Sequence, residues 1–439
     1  MNSPRMNRRE FTKAGAAGAG GAVAFSAVSA RRVWGANDRI RLGFIGVGNR
    51  GSQVLAAFLP HQDMEVVAIC DVFEPYLDRA QEKLPSKADA TIDFRKVLDR
   101  KDIDAVVICT PDHWHAVHTI WACRAGKDVY VEKPLSITVV EGRKMVQAAR
   151  QYERVVQVGT HRRSSKLYAQ AAELIGGGKI GKVTVSRAYR LSNMYPGGIG
   201  KAPPGDPPAG LHWDLWLGPR PERPFQETIA PYKFRWWDLY SSQMANWGVH
   251  YLDAIRWLTG ELAPASVCAM GGRFAVEDDR TIPDTAEAVF QFASGRLAIF
   301  GQYEASGNPV FPQGELELRG TLGTAYIGSR GLNVIPERGG QFQDAAPRME
   351  PINIDIREGE NDVMTVAHAR NFLDCVKSRE KPNADVEIGH RSTTCSLIAN
   401  ISLAVGARLE WDAEQERFTN HEAANALLDY EHRKPWTLD

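Results

Sequence analysis

Arg41-Leu42-Gly43-Phe44-Ile45-Gly46-Val47-Gly48-Asn49-Arg50-Gly51 is the stretch that decides the fold of this chain. It opens with a short apolar run that is typical of a buried parallel strand. The run passes directly into a complete G-x-G-x-x-G, in which each glycine has its own task. Gly46 permits a tight turn, Gly48 lets the backbone approach a ligand, and Gly51 allows close helix–strand packing.

A helix is predicted to begin near Ser52, and a second apolar strand, Val66–Cys70, ends at Asp71. The helix N-terminus offers unpaired N–H groups and a positive dipole end to phosphates. Asp71 follows the last glycine at the spacing of about twenty residues from which a carboxylate reaches an adenosine ribose. Its charge would repel a 2′-phosphate, and no Arg or Lys follows it in residues 72–75. The stretch therefore predicts a dinucleotide site that prefers NAD to NADP. The predicted contacts are Gly46, Gly48, Asn49, Arg50, Gly51 and Asp71.

Strands and helical stretches continue to alternate as far as residue 160. Three further strands are predicted at 104–109, 128–131 and 155–158, each bounded by helical sequence. This rhythm indicates a doubly wound parallel sheet, whose ligand sites lie beyond the carboxyl ends of the strands. The segments at those ends are Thr110-Pro111, Glu132-Lys133-Pro134 and His161-Arg162. We expect them to meet in one site.

The rhythm changes from about Ser164 onward. Five strand-like runs lie between residues 266 and 327 with turns but no helices between them, which implies a large, mostly antiparallel sheet. A loop rich in Pro, Gly and Trp is predicted over Asn193–Phe234, and a helix over Met244–Leu258. The chain of 439 residues is thus expected to form two α/β domains, 37–160 and 161–439.

Composition excludes several classes of function. The 53 Lys and Arg balance the 53 Asp and Glu, so no extended nucleic-acid surface is expected. The six cysteines are scattered through apolar segments without metal-type spacing, which predicts reduced thiols and no metal site.

The first 36 residues differ from the rest of the chain. Asn7-Arg8-Arg9-Glu10-Phe11-Thr12-Lys13 resembles the twin-arginine export motif, and an Ala/Gly-rich stretch follows it up to a possible cleavage point after Ala30. A disordered start and an uncleaved anchor are the alternatives. The stretch is short and glycine-rich for an anchor, so stable membrane insertion is not expected. The resemblance implies passage through the Tat export machinery to the periplasm or another exported location.

Several motifs together resemble the glucose–fructose oxidoreductase / inositol dehydrogenase / rhizopine-catabolism (Gfo/Idh/MocA) family. They are Gly46 to Gly51, Thr110-Pro111 with His115, Glu132-Lys133-Pro134, Trp213 to Pro219, and Asn246-Trp247-Gly248-Val249-His250-Tyr251-Leu252-Asp253. The resemblance covers nearly all of the chain after residue 37. It implies an N-terminal Rossmann domain and a C-terminal α/β domain with an open sheet, often used to form homo-oligomers. It also implies oxidation and reduction of pyranoses or cyclitols with a nicotinamide cofactor.

The resemblance also assigns roles to residues. Lys133 matches the family's catalytic lysine, Pro134 its cis-proline and His250 its catalytic histidine, which suits a base for a hydroxyl proton. Many members carry an aspartate four residues before that histidine, where this chain has Asn246. Asn246 can orient the imidazole or the substrate, and Asp253 could supply the missing charge. Further cofactor contacts are expected from Thr110, Pro111, His115, Glu132, Lys133 and Trp236. Substrate contacts are expected from His161, Arg162, Asn246 and His250.

Three functions follow from these residues. The first is an exported NAD-dependent oxidoreductase acting on a hydroxyl of a sugar, glycoside or cyclitol, in which His250 takes the proton and Lys133 stabilises the alkoxide. The second is redox-neutral glycoside cleavage, epimerisation or sugar–sugar transhydrogenation with a permanently bound NAD. The third is a non-catalytic protein that binds NAD or sugar, which intact Lys133 and His250 disfavour.

Overall fold

The protein is described by a computed structural model over residues 39–311, 313–329, 331–356 and 363–438. The predicted export segment, residues 1–36, lies outside these ranges. Within them, no helix is both long and apolar enough to span a bilayer, and no group of three or more His, Cys, Asp or Glu side chains is placed to hold a metal ion. All six cysteines are free thiols.

The first half of the described chain forms a six-stranded parallel sheet in the order β3-β2-β1-β4-β5-β6. Its central strands are short, apolar and almost wholly buried, because helices cover the sheet. The strands are β1 (Ile40–Ile45), β2 (Met64–Cys70), β3 (Asp89–Thr91), β4 (Ala105–Ile108), β5 (Asp128–Val131) and β6 (Val156–Val158). The helices that follow them are α1 (Asn49–Phe58), α2 (Glu74–Gln81), α3 (Phe94–Leu98), α4 (His115–Arg124), α5 (Val139–Gln151) and α6 (Lys166–Gly176).

The second half builds a large mixed sheet in the order β15-β14-β13-β12-β7-β10-β9-β8-β16-β17, with β11 on β7. Its pairs are antiparallel except β7 with β10. The strands are β7 (Val183–Asn193), β8 (Pro264–Gly272), β9 (Thr285–Phe292), β10 (Leu297–Tyr303), β11 (Ala305–Ser306), β12 (Leu316–Gly320), β13 (Gly323–Gly328), β14 (Gly331–Pro336), β15 (Ile352–Asp355), β16 (Leu409–Asp412) and β17 (Arg417–Phe418). The helices are α7 (Trp213–Leu217), α8 (Gln243–Asn246), α9 (Gly248–Thr259), α10 (Val363–Ser378), α11 (Val386–Val405) and α12 (Glu422–Asn425).

The predicted fold class, a doubly wound parallel sheet followed by a mostly antiparallel one, is confirmed. The predicted helix Met244–Leu258 is instead two helices, α8 and α9, which meet at Trp247. The amide of His250 bonds to the carbonyl of Trp247, three residues back rather than four, so the regular helical ladder stops at this point.

The homo-oligomer implied by the family resemblance stays a prediction, and the apolar run Ala298–Phe300 on the open sheet is one reason to expect it. Ala298 and Phe300 are fully buried in the core against the helices, and Ile299 alone of the three is half-buried. The apolar character of Ala298 and Phe300 is therefore already explained by packing within one chain.

Candidate active site

The glycine turn closes against the end of a neighbouring strand. Gly46 has a φ of +85°, and a Cβ there would lie 2.7 Å from the backbone of Cys109 and Thr110. A Cβ on Gly51 would lie 2.1 Å from the carbonyl oxygen of Gly46, so helix α1 can start this close to β1 only without a side chain. Gly48 is restricted by a side chain instead, since a Cβ on it would lie 2.5 Å from the ring of Tyr76.

Asp71 fastens this turn to the end of β2. Its Oδ2 accepts a hydrogen bond from the amide of Val47 at 2.8 Å, and its Oδ1 accepts one from the amide of Phe73 at 3.0 Å. Burial raises the pKa of Asp71 to about 6, although the backbone N–H groups around it oppose the shift. The carboxylate still lines the cavity beside the turn, where an adenosine ribose would meet it.

That cavity lies beyond the carboxyl ends of β1, β2 and β4. Seven of its lining residues are predicted cofactor contacts: Gly46, Gly48, Asn49, Arg50, Asp71, Thr110 and Pro111. Other walls were not predicted: Tyr232 and Arg235 come from the long loop, and Trp436 comes from the far end of the chain. Trp436 reaches this place because it packs against Trp114, with ring centroids 4.9 Å apart. The cavity fits NAD, because it has a helix N-terminus for the phosphates and a glycine that lets the backbone approach them. It also has a carboxylate that can accept hydrogen bonds from a ribose.

Glu132 connects Arg50, which lines the cofactor cavity, to Lys133. It is almost fully buried and accepts a hydrogen bond from Nε of Arg50 at 2.9 Å and one from the backbone amide of Lys133 at 3.1 Å. Burial alone would favour the neutral acid, but the charges of Arg50 and Lys133 prevail and keep the pKa of Glu132 below its ordinary value. Glu132 therefore anchors Arg50 and the turn that carries Lys133.

Lys133 lies at the end of β5, before a cis peptide bond to Pro134. Its Nζ donates to the side-chain Oδ1 of Asn246 at 2.7 Å and to the backbone oxygen of the same residue at 2.9 Å. That backbone oxygen is available because the helix breaks at Trp247 and the amide of His250 bonds elsewhere. Burial lowers the pKa of Lys133 to about 8.

His250 lies beside a second histidine. Its ring centroid is 5.2 Å from that of His161, and the described residues give its Nδ1 no hydrogen-bond partner. Burial, aided by the charges of Lys133 and Arg162, holds the pKa of His250 well below its ordinary value. The imidazole is therefore neutral near pH 7. His161 is neutral for the same main reason.

Arg162 extends the site toward the mixed sheet. It donates to the hydroxyl of Tyr168 at 3.2 Å and to Glu315 at 3.3 Å, and its guanidinium lies over the ring of Tyr251 at 4.9 Å. It neighbours His161 in sequence, so a polar molecule beside His250 would meet this charge next. Its expected role in binding substrate hydroxyls stays a prediction.

Three expectations are corrected by the contacts. Asp253 does not support His250, because its carboxylate accepts from Arg163 at 2.9 Å and from Ser392 at 2.6 Å. His115 does not line the cofactor cavity, because its ring is buried between the carbonyl oxygens of Pro134, 2.7 Å from Nδ1, and Thr110, 3.0 Å from Nε2.

Trp236 is the third correction. Its indole N–H is donated to Glu304 at 3.0 Å, and Tyr232 and Arg235 of the same segment line the cofactor cavity instead.

Asn246 also differs from its expected place on the helical face of His250, since it ends the separate helix α8 and bonds to Lys133. In each case the partner is distant in sequence, so no local pattern identified it.

Three family models match consecutive parts of the chain. Residues 40–160 match "Oxidoreductase family, NAD-binding Rossmann fold", 216–326 match "GFO/IDH/MocA C-terminal domain", and 353–438 match "Oxidoreductase family, C-terminal alpha/beta domain". The chain is 42% identical over 110 residues to an alpha-N-acetylgalactosaminidase of Shewanella oneidensis, which is 23% of this chain and 24% of that protein. The chain thus spans about a quarter of the length of the curated relatives it matches.

Two solved structures share the fold over 85% of this chain and 99% of their own. A levoglucosan dehydrogenase in complex with NADH and levoglucosan has a TM-score of 0.66 at 19% identity. A scyllo-inositol dehydrogenase from Lactobacillus casei with NAD(H) and scyllo-inositol has a TM-score of 0.61 at 21% identity.

The raised pKa of Asp71 predicts a pH dependence of cofactor affinity. Below about pH 6 the carboxylate is protonated, so an acceptor for ribose hydroxyls is lost and NADH should bind more weakly. Asp71→Asn should weaken binding roughly tenfold and remove this dependence. NADH fluorescence titrations between pH 5 and 8 test both. Asp93→Asn, in the same cavity wall, is the control and should keep the dependence. Wild-type affinity that does not change across pH 6 would contradict the assignment.

The contacts of Asp253 predict a structural role. Asp253→Asn would leave the buried guanidinium of Arg163 without its counter-charge, which should lower the free energy of unfolding by about 3 kcal/mol while NADH affinity is retained. Urea unfolding provides the measurement. Asp214→Asn, which removes the exposed partner of Arg433, should cost less than about 1 kcal/mol. Equal stability of the Asp253 variant and the wild type would refute this role.

Proposed function

Because the chain belongs to the GFO/IDH/MocA family of oxidoreductases, we propose that it oxidises a hydroxyl of a sugar, glycoside or cyclitol by hydride transfer to NAD. The observation that carries this proposal is the amine of Lys133, held by two neutral acceptors near neutral His250, after the end of β5. Strand β5 pairs with β4, whose carboxyl end lines the NAD cavity. The sugar and cyclitol ligands of the two structural neighbours support the substrate class. NAD, when bound, supplies the acceptor for the hydride.

Lys133 is suited to take the proton of the substrate hydroxyl. A neutral amine has two N–H bonds, and the backbone oxygen and Oδ1 of Asn246 accept both. Its lone pair then points to the position that remains, where a substrate hydroxyl can give up its proton. A pKa of about 8 makes the neutral amine accessible near physiological pH. We therefore assign to Lys133 the role of base that the motif had suggested for His250.

His250 then contributes by hydrogen bonding rather than by charge. Among the described residues, no carboxylate is hydrogen-bonded to its neutral ring to stabilise an imidazolium, and Asp253 is bound to Arg163. A neutral imidazole offers one donor and one acceptor, which suits two neighbouring hydroxyls of a ring. With His161 beside it, it would fix which hydroxyl faces Lys133.

A second candidate is redox-neutral cleavage of a glycoside. The similarity to an alpha-N-acetylgalactosaminidase favours it, and so does the cavity, which Tyr232, Arg235 and Trp436 wall in from distant parts of the chain. Oxidation of one ring carbon acidifies the neighbouring C–H. Loss of that proton expels the substituent one carbon further, water adds, and the hydride returns. Export of the protein, suggested by residues 7–30, would favour a retained cofactor, since free NAD is scarce outside the cytoplasm.

Lys133→Met tests the proposed base. We expect oxidation of myo-inositol, levoglucosan or glucose to fall roughly 100-fold to 10,000-fold, while NADH binding measured by fluorescence is unchanged. Wild-type kcat/KM should rise with pH to a plateau above about 8, because Lys133 must be neutral. His250→Gln, the comparison, should raise KM more than it lowers kcat. Full turnover by the Lys133 variant with bound cofactor would refute this mechanism.

Solvent deuterium separates the two candidate functions. With p-nitrophenyl α-N-acetylgalactosaminide in D₂O, redox-neutral cleavage should release nitrophenol without net NADH formation and place deuterium on the carbon beside the oxidised one. A product without deuterium, formed together with one NADH per turnover, would leave simple dehydrogenation as the function. Protein purified without dialysis should contain NAD under the first outcome.

A further inference from the structure

A chain of buried polar side chains runs from the mixed sheet to the catalytic lysine. Glu304, which follows β10, accepts a hydrogen bond from Nε2 of Gln243 at 2.9 Å. Oε1 of Gln243 accepts from Nδ2 of Asn246 at 3.1 Å, and Oδ1 of Asn246 accepts from Lys133 at 2.7 Å. Glu304, Gln243 and Asn246 are 1%, 3% and 7% exposed, so water does not compete for these bonds.

The far end of this chain is fixed by charge. Glu304 accepts from Nη1 of Arg280 at 2.6 Å and from the indole of Trp236 at 3.0 Å. Arg280 is fully buried and is held on its other side by Asp278, with Nε to Oδ1 at 2.8 Å. Every side chain that is hydrogen-bonded to the Glu304 carboxylate is a donor, and one of them, Arg280, carries a permanent positive charge. The carboxylate therefore acts only as an acceptor.

Because Glu304 acts only as an acceptor, it fixes the orientation of both side-chain amides. Gln243 must turn its NH₂ group to Glu304, so its oxygen faces Asn246. Asn246 must then turn its NH₂ group to Gln243, so its own oxygen faces Lys133. Reversal of either amide would place two donors or two acceptors against each other in the buried chain, at a cost of roughly 1–3 kcal/mol for each unsatisfied group.

We propose that Glu304 and Gln243 are positioning residues that fix the side-chain amide of Asn246 with its oxygen toward Lys133. Neither residue lines the cofactor cavity, and both act through Asn246. This inference rests on the proposed function, in which the amine of Lys133 takes the substrate proton. It also accounts for an asparagine at position 246. The amide accepts from Lys133 without adding a negative charge, so the neutral amine needed for catalysis is not suppressed.

Other charged and titratable groups act on Lys133 as well. Glu132 and Asp112 favour its ammonium form, and Arg235 and Arg50 disfavour it. His250 and His161 face it as neutral rings. None of these groups belongs to the hydrogen-bonded series from Glu304 through Gln243 to Asn246. A substitution in that series therefore leaves them in place.

Glu304→Gln is the decisive substitution. The new oxygen should stay with Arg280 and Trp236, so the new NH₂ group faces Gln243. Gln243 and Asn246 then reverse, and Nδ2 of Asn246 faces Lys133, which loses an acceptor. The pKa of Lys133 should fall by roughly one unit. It is measured as the midpoint of the pH dependence of Lys133 acetylation by acetic anhydride, followed by peptide mass spectrometry. This measurement needs no substrate, so an error in the proposed function would not affect it.

The double variant that combines Gln243→Glu with Glu304→Gln is the matched control. It has the net charge of the wild type. The new amide at position 304 can donate to the new carboxylate at position 243, which in turn accepts from Asn246. The oxygen of Asn246 should face Lys133 again, and the midpoint should return to the wild-type value or rise above it. Melting temperature and NADH binding report folding. If the single variant does not fold, Gln243→Met, which removes the acceptor for Asn246 without a charge change, should also lower the midpoint.

Two results would overturn the proposal. One is a folded Glu304→Gln protein, or a Gln243→Met protein in its place, with an unchanged Lys133 midpoint. The other is a double variant whose midpoint stays as low as that of the single variant, because the shift would then reflect only the lost charge of Glu304.

Discussion

The hydrogen bond from Lys133 to the backbone oxygen of Asn246 joins the two halves of the site. In an unbroken helix that oxygen would accept from the amide four residues later. Here the ladder stops at Trp247, because the amide of His250 bonds to the carbonyl of Trp247 instead. The freed acceptor would be costly to leave unpaired in a buried place, and the lysine of the parallel sheet satisfies it. Lys133 and helix α8 are thus held together by a backbone group, which a side-chain substitution does not remove.

Charge in the site is arranged to keep some groups charged and others neutral. Glu132 is buried but stays ionised because Arg50 lies against it, and this pair ties the cofactor helix to the turn of Lys133. Lys133 donates to two neutral oxygens, and in the described part of the chain no carboxylate is hydrogen-bonded to His250. The low dielectric of the interior therefore favours neutral forms of both. A proton acceptor at neutral pH needs such an environment more than it needs a counter-ion.

Sequence reasoning succeeded where function depends on residues close together along the chain. The spacing from Gly46 to Asp71 predicted a strand, a turn, a helix and a carboxylate, and the structure brings Asp71 onto the turn itself. It failed where the hydrogen-bond partner of a residue lies far away in the sequence. Asp253 lies near His250 in sequence, but Arg163 and Ser392 reach it first. The ring of His115 is held between two turns, and Trp236 is held by a strand-end glutamate. The family pattern indicated that position 246 matters, but only packing shows that its amide faces the lysine.

The walls of the cofactor cavity include four regions far apart in the sequence: the glycine turn, the segment around Asp71, the loop at Tyr232–Arg235 and the tail at Trp436. A ligand bound there touches parts of the chain that lie far apart in the sequence. By mass action, any molecule that binds only the complete arrangement stabilises all four regions at once. The dinucleotide is then a cross-link as well as a reagent, and its retention reports that distant ends of the protein have folded together.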